Sequence, residues 1–169
     1  MRIAERALAA LRAATTTQLV VANDAAAHSW FPNERIVGDR EPGSGPLAGI
    51  EAALAASGGR AVIVLAWDMP FVPAALLREL RRRGGDGVDA VVPLRAMHRE
   101  PLCAWYGPGA QVACRRLLAA GERRAGALAD AVRVRWMDSA AIEPFGDAER
   151  IFTSVDTPEA LAALGGALP

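Results

Sequence analysis

The sequence predicts an α/β fold, a three-layer α/β/α arrangement around a mostly parallel sheet, and three observations carry that expectation. Short apolar runs alternate with stretches of helical spacing along the whole chain. The run 61–67 is apolar without alternation, as in a strand covered on both faces. Polar or acidic residues, Asn23, Asp39 and Asp68, follow three of the runs, at the strand ends where such folds bind ligands. With 169 residues, 52% hydrophobic and 22% charged, the composition fits a single domain over 1–169 and excludes disordered and fibrous classes.

Each element follows from local pattern. Ile3, Ala7, Leu8 and Leu11 share a helical face, and residues 18–22 form a short apolar strand ending at Asn23-Asp24. A second helix is expected at about 25–30 and a strand at 35–38, ending at Asp39. The Pro/Gly-rich loop 41–46 then opens a helix to about residue 56, with Pro46 in its first turn. After strand 61–67 and Asp68-Met69-Pro70, residues 73–83 read as a helix with Leu76, Leu77 and Leu80 inward, closed by Gly84-Gly85. Its run of arginines suits the negative end of a helix dipole. Strands at 88–94, 102–106 and 132–137, a helix at 110–119, the apolar segment 151–155 and a final helix near Thr157-Pro158 complete the pattern.

Net charge excludes one group of functions. Nineteen basic and nineteen acidic residues leave no overall field to recruit nucleic acid or an anionic membrane. Every basic residue is Arg, so no lysine serves as phosphate clamp, Schiff base or general base. The longest strongly apolar run falls far short of the roughly 20 residues a membrane-spanning helix needs. The N-terminus lacks the apolar core of a secretion signal, and a cytoplasmic protein is expected. Two cysteines, Cys103 and Cys114, with only two histidines argue against zinc and against a disulfide framework.

Two constellations carry chemistry. Asp68 and Asp156 are of the type that binds a hard divalent cation, since magnesium favours one or two carboxylates with water and phosphate oxygens. Equally, Asp68 fits a turn before Pro70 and Asp156 a helix cap. Residues 42–49 offer backbone amides and a helix N-terminus to an anion, or serve only as a turn-forming connector. Cys103, inside an apolar strand, is read as a small hydrophobe and not as a nucleophile.

The ordered set VGDREPGSGPLAGI, VIVLAWDMPFVP, REPLCAWY, AAGERR and VDTPEAL resembles the molybdenum cofactor guanylyltransferase family, MobA-like NTP transferases of the nucleotide-diphospho-sugar transferase fold. The resemblance spans essentially the whole chain. It implies magnesium-dependent transfer of GMP from GTP to molybdopterin, with release of pyrophosphate. It also implies that Asp68 binds magnesium, with Asp156 as a second metal contact, and that Asp39, Gly45, Pro46, Leu47 and Gly49 lie against the nucleotide. Asn23 takes the place of an Asn found after the corresponding strand. Arg123 and Arg124 match a feature of the family and suit a phosphate, as guanidinium forks do; His98 and Arg99, on a loop before Glu100-Pro101, are read either as a pterin or phosphate contact or as a solvent-exposed turn, and a surface role is equally open for the two arginines.

The family's N-terminal strand and its Leu-Ala-Gly-Gly loop have no counterpart here, and residues 1–13 resemble the helix that follows that loop. An N-terminally truncated domain is therefore expected, with the first strand missing beside strand 61–67. Two strand edges are then left unpaired unless another segment or subunit fills the gap, and self-association through the open edge follows as one expectation. Three readings stay open: a truncated enzyme binding GTP weakly or not at all, a non-catalytic binding or interaction module, and a cytidylyltransferase or other nucleotidyltransferase of the same superfamily.

Overall fold

The structure, a computed structural model, describes residues 2–40, 43–85, 87–155, 157, 159 and 160. Helix α1 (Ile3–Ala14) buries Ile3, Ala7 and Leu8, three of the residues whose spacing predicts it, and the Glu5 carboxylate accepts the Arg2 backbone N–H at 2.7 Å. It leads into β1 (Leu19–Val21), the short helix α2 (Ala27–Trp30) and β2 (Arg35–Val37), which pairs in parallel with β1, Val20 opposite Ile36. Helix α3 (Pro46–Ala56) starts with proline in its first turn, where a missing N–H costs nothing, and buries Leu47, Ile50 and Leu54.

The apolar run becomes β3 (Val62–Leu65), followed by α4 (Ala74–Arg83) and β4 (Ala90–Arg95). The two-residue strand β5 (His98–Arg99) turns the chain back into β6 (Cys103–Tyr106). Helices α5 (Ala110–Ala119) and α6 (Gly126–Ala131) precede β7 (Val134–Met137). A short helix α7 (Ser139–Ile142), a 3-10 turn (Glu143–Phe145) and α8 (Ala148–Ile151) follow.

Helices cover both faces of the sheet. Ile63, Leu65, Val91, Cys103, Trp105 and Met137 point to one core, against Leu76, Leu77 and Leu80 of α4 and Leu11 of α1. Val62, Val64, Ala90, Val92, Ala104 and Tyr106 point to the other, against Leu47, Ile50 and Leu54 of α3, Ala110, Ala113 and Cys114 of α5 and Leu128 of α6. This period-two sharing of one sheet between two cores is the three-layer arrangement expected.

The sheet is more mixed than the sequence suggests. β1 pairs β2 and β4 pairs β7 in parallel, but β6 runs antiparallel to both β3 and β4, and β5 antiparallel to β4. The reason is the connection: residues 96–102 are too few for the crossover that a parallel return requires, so the chain doubles back. The apolar segment 151–155 is the end of α8 and an irregular stretch. Thr157 Oγ1 accepts the Ala160 N–H at 3.1 Å, the bond of an N-cap, while Pro158 and residues 161–169, on which the rest of the expected final helix falls, lie outside the described residues.

Among the described residues no hydrogen-bonded ladder joins β1 to β3: the strands form a two-stranded sheet, β1-β2, and a five-stranded one that begins at β3. The interruption falls beside β3, where the expected first strand would sit.

Both cysteines are buried, and burial pushes the Cys103 thiol far above its ordinary range and that of Cys114 to about 12, which leaves neither as a ready nucleophile. Gly84, just after α4, packs against the Trp105 ring, and a Cβ there would come within 2.3 Å of Trp105 Cε2. Gly84→Ala is expected to lower stability by about 1–3 kcal/mol through overpacking, measured as a fall in the urea midpoint at unchanged m-value.

Candidate functional site

A cleft of about 790 Å³ separates β1 from β3. Its walls are the two strands, and α1 and α3 contribute Leu8, Leu11, Ile50 and Ala53 to its lining. The direction of the strands follows from α3. Its first turns lie by the end of β1, with Gly49 against Val21, and its last residue, Ala56, accepts a hydrogen bond through its carbonyl from Arg35 at the start of β2, at 3.2 Å. α3 therefore runs back along the β1-β2 pair, and β3, which follows it, runs the same way as β1 and β2. Asn23, Asp39 and Asp68 consequently gather at one rim, the carboxyl end of the strands, and all three line the cleft.

Asn23 and Asp39 hold each other. The Asp39 backbone N–H donates to Asn23 Oδ1 at 2.8 Å, and Asn23 Nδ2 donates to Asp39 Oδ2 at 2.8 Å. The pair fastens the end of β1 to the end of β2 and fixes the direction of the Asp39 carboxylate. Across the cleft, Asp68 follows β3; its Oδ2 accepts from the Ser154 hydroxyl and its carbonyl from the Val155 N–H at 2.8 Å. Trp67, beside it, is 56% exposed and also lines the cleft.

The third part of the rim is the start of α3. Gly45 has φ +78°, which favours glycine, and a Cβ on it would lie 2.9 Å from the Arg123 carbonyl oxygen. The same carbonyl accepts the Leu47 N–H at 3.2 Å. Gly45, Pro46 and Gly49 line the cleft, while the Leu47 side chain is wholly buried in the core. Arg123 thus meets the glycine loop through its backbone. Glu122 braces this turn: its carboxylate accepts the backbone N–H groups of Arg123 and Arg124, both at 2.9 Å, and pairs with the Arg124 guanidinium at 2.8 Å.

Six of the residues singled out by sequence, Asn23, Asp39, Gly45, Pro46, Gly49 and Asp68, therefore line one cleft. His98 and Arg99 do not: they lie on β5, exposed, with Arg99 paired to Asp130 at 2.6 Å and set over the Trp136 ring at 5.2 Å. Arg124 is committed to Glu122. Asp156, expected as a second metal carboxylate, lies outside the described residues. Ser154 and Trp67 were not picked out from sequence. The position of Ser154 two residues before Asp156, directly ahead of the segment tied to the resemblance, is the signal that could have found it. Among the described residues no three His, Cys, Asp or Glu side chains group to hold a metal ion, and no helix is long and apolar enough to cross a membrane.

The two covered faces of the sheet, with a cleft at the carboxyl ends of co-directional strands, define an α/β protein of the nucleotide-diphospho-sugar transferase fold. The fold is shared with 4-diphosphocytidyl-2C-methyl-D-erythritol synthase, TM-score 0.62 at 16% identity over 96% of this chain and 86% of that one. It is shared more closely with molybdopterin-guanine dinucleotide biosynthesis protein A from Archaeoglobus fulgidus, TM-score 0.77 at 26% identity over 96% of this chain and 83% of that one.

The chain belongs to the MobA-like NTP transferase domain family, whose model matches residues 1–136. It is 42% identical over 125 residues to a Chloroflexus aggregans protein and 34% identical over 127 residues to one from Pelotomaculum thermopropionicum, both named "Probable molybdenum cofactor guanylyltransferase". The matched regions are 71% and 75% of this chain, and they span only 58% and 62% of those relatives.

Hydrogen bonds from Arg124 and from two backbone amides hold the Glu122 carboxyl at about 2, below its ordinary value of 4.5. A depressed carboxyl stabilises the fold at pH above its unfolded value, and that contribution is lost as pH falls from about 4.5 towards 2. Carbon-13 NMR titration of the side-chain carboxyl is expected to show this low midpoint, and Arg124→Ala to move it upward.

Proposed function

We propose that the chain transfers a nucleotidyl group, GMP from GTP, to the phosphate of molybdopterin and releases pyrophosphate. The carrying observation is the rim itself: Asn23, Asp39 and the start of α3 on one wall of the cleft, and Asp68 with Ser154 on the other. The names of the relatives supply the substrates.

In this reading the nucleotide lies across the carboxyl ends of β1, β2 and β3. Asp39, aimed by Asn23, accepts hydrogen bonds from the nucleoside, and the residues around Gly45 permit close approach of backbone to ligand. An oxygen of the molybdopterin phosphate attacks the α-phosphorus, and the bond from that phosphorus to the bridging oxygen of pyrophosphate breaks. No covalent protein intermediate is required, because positioning and charge stabilisation suffice for phosphoryl chemistry.

Magnesium fits the donors present: Asp68 is a hard oxygen ligand, half-buried in the cleft and steadied by Ser154, and a site of one or two carboxylates suits magnesium. Held there, the ion would supply Lewis-acid neutralisation of phosphate charge. Arg123 and Glu122 shape the glycine loop from behind and are assigned a positioning role.

Pyrophosphate release from GTP, dependent on added molybdopterin and magnesium, is the expected result. CTP turned over in place of GTP would overturn the choice of base, and release from neither would overturn transfer. Asp68→Ala is expected to lower the rate by about 10²–10³-fold, the usual cost of losing a charge-stabilising contact. Asn23→Ala removes two hydrogen bonds from the rim; it should weaken GTP binding in equilibrium titration and cost about 1–2 kcal/mol of stability in urea.

A further inference from the structure

We propose that Arg95 is a positioning residue: through Glu149 it holds the segment 148–155 where Ser154 meets Asp68, and so aims the Asp68 carboxylate. The metal-binding part of this inference rests on the magnesium site proposed above. Strand direction brings the parts together. β3 and β4 both run antiparallel to β6, so they point the same way, and Arg95, the last residue of β4, lies at the same end of the sheet as Asp68. Segment 148–155 meets Arg95 at Glu149 and Asp68 at Ser154, and thus crosses from the end of β4 to the end of β3.

Arg95 is gripped from both sides. Its side chain is 20% exposed; Nε donates to Glu100 Oε1 at 2.9 Å and Nη1 to Glu149 Oε2 at 2.6 Å. Glu100 is buried, and its backbone N–H donates to the Pro93 carbonyl at 3.0 Å, which fixes it to β4. Burial pushes the Glu100 carboxyl up from its ordinary value, with the Arg95 guanidinium opposing, so this pair cannot part without leaving a buried carboxylate uncompensated. Because the guanidinium is a rigid planar fork, holding one arm on Glu100 sets the direction of the other.

The outer arm fixes place more than it adds stability. The Glu149 side chain is 77% exposed, and an ion pair so open to water contributes little to folding. Ile151 and Phe152 are buried in the core beneath α4 and set the depth of the segment, but two apolar anchors leave its rotation about them open. The polar bonds close that freedom. Thr153 Oγ1 donates to the Glu149 carbonyl at 2.6 Å, Ser154 Oγ donates to Asp68 Oδ2, and the Val155 N–H donates to the Asp68 carbonyl at 2.8 Å. Ser154 thereby takes Oδ2, while Oδ1 accepts no hydrogen bond among the described residues and is the oxygen left for a hard cation. Groups that orient a ligand from behind govern the affinity for the ion.

The test uses the 169-residue chain, with manganese as a paramagnetic stand-in for magnesium, titrated by electron paramagnetic resonance, and amide exchange at Val155 followed by NMR without metal. Replacing Arg95 would leave the buried Glu100 unpaired, so the exposed Glu149 is changed instead. Glu149→Ala is expected to weaken manganese binding about tenfold, the usual cost of losing a group that orients a ligand. It should also speed exchange at Val155 about fivefold or more, with the amides of β4 unaltered. Glu149→Gln, which drops the charge but keeps an oxygen for Arg95, should stay close to the parent in both. Ser154→Ala should weaken manganese binding as Glu149→Ala does, and the double variant no further than Ser154→Ala alone, since coupled residues do not add. The proposal is overturned if Val155 exchange is the same in Glu149→Ala as in the parent. It is also overturned if Glu149→Gln loses as much manganese affinity as Glu149→Ala, which would make charge the cause, or if the losses of the double variant add. A parent chain that binds no manganese sinks the metal site proposed above; Val155 exchange then decides the positioning role alone, supported if it is faster in Glu149→Ala than in Glu149→Gln and overturned if the two are equal.

Discussion

The sharing of β3 between two cores is the constraint on which the rest of the molecule depends. Ile63 and Leu65 pack towards α4 and Val62 and Val64 towards α3, so this one short strand ties the two helical layers to each other. Its neighbour β6 carries the arrangement on, with Cys103 and Trp105 on one face and Ala104 and Tyr106 on the other. Because the alternation has a period of two, a shift of one residue in register would place every side chain in the wrong layer. The rim of the cleft depends on that register too, since Asp68 follows β3, which ends at Leu65.

The opposite wall is organised differently. β1 and β2 are three residues each, too small to form a stable sheet alone, and they are held by α3 across one face and by the paired Asn23 and Asp39 at their ends. α3 packs with β1, β2 and β3 and so spans the interruption. Its buried Glu51, paired with Arg115 of α5 at 2.9 Å, anchors the helix to the larger body.

Much of this was legible in the sequence because it rests on local rules. Helix α3 follows from Pro46 after a glycine loop, α4 from the spacing of Leu76, Leu77 and Leu80, and β3 from an apolar run that no single-faced strand would need. The rim residues were legible for a similar reason: Asn23, Asp39 and Asp68 each terminate a strand. What sequence pattern could not supply was pairing. The antiparallel return of β6 depends on the brevity of residues 96–102, and the bond between Ser154 and Asp68 joins segments far apart in sequence. The short helices α6, α7 and α8 were missed because, at four to six residues each, they lack the periods that a pattern needs. Leu47 shows the limit in another way: a residue within a segment that lines the cleft is itself wholly committed to the core.

The seam beside β1 also sets an order of melting. Elsewhere the larger sheet is stitched by ladders, so one strand leaves only when several backbone bonds break together. Between β1 and β3 no ladder exists among the described residues, and the seam is bridged through α1 and α3, with a hydrogen bond from the Arg35 side chain to the Ala56 carbonyl. On warming, the β1-β2 layer is the piece that separates first while the β3-β6-β4-β7 body keeps its form, because local opening follows the weakest set of contacts. The protein therefore loses the half of the rim that carries Asn23 and Asp39 before it loses its fold.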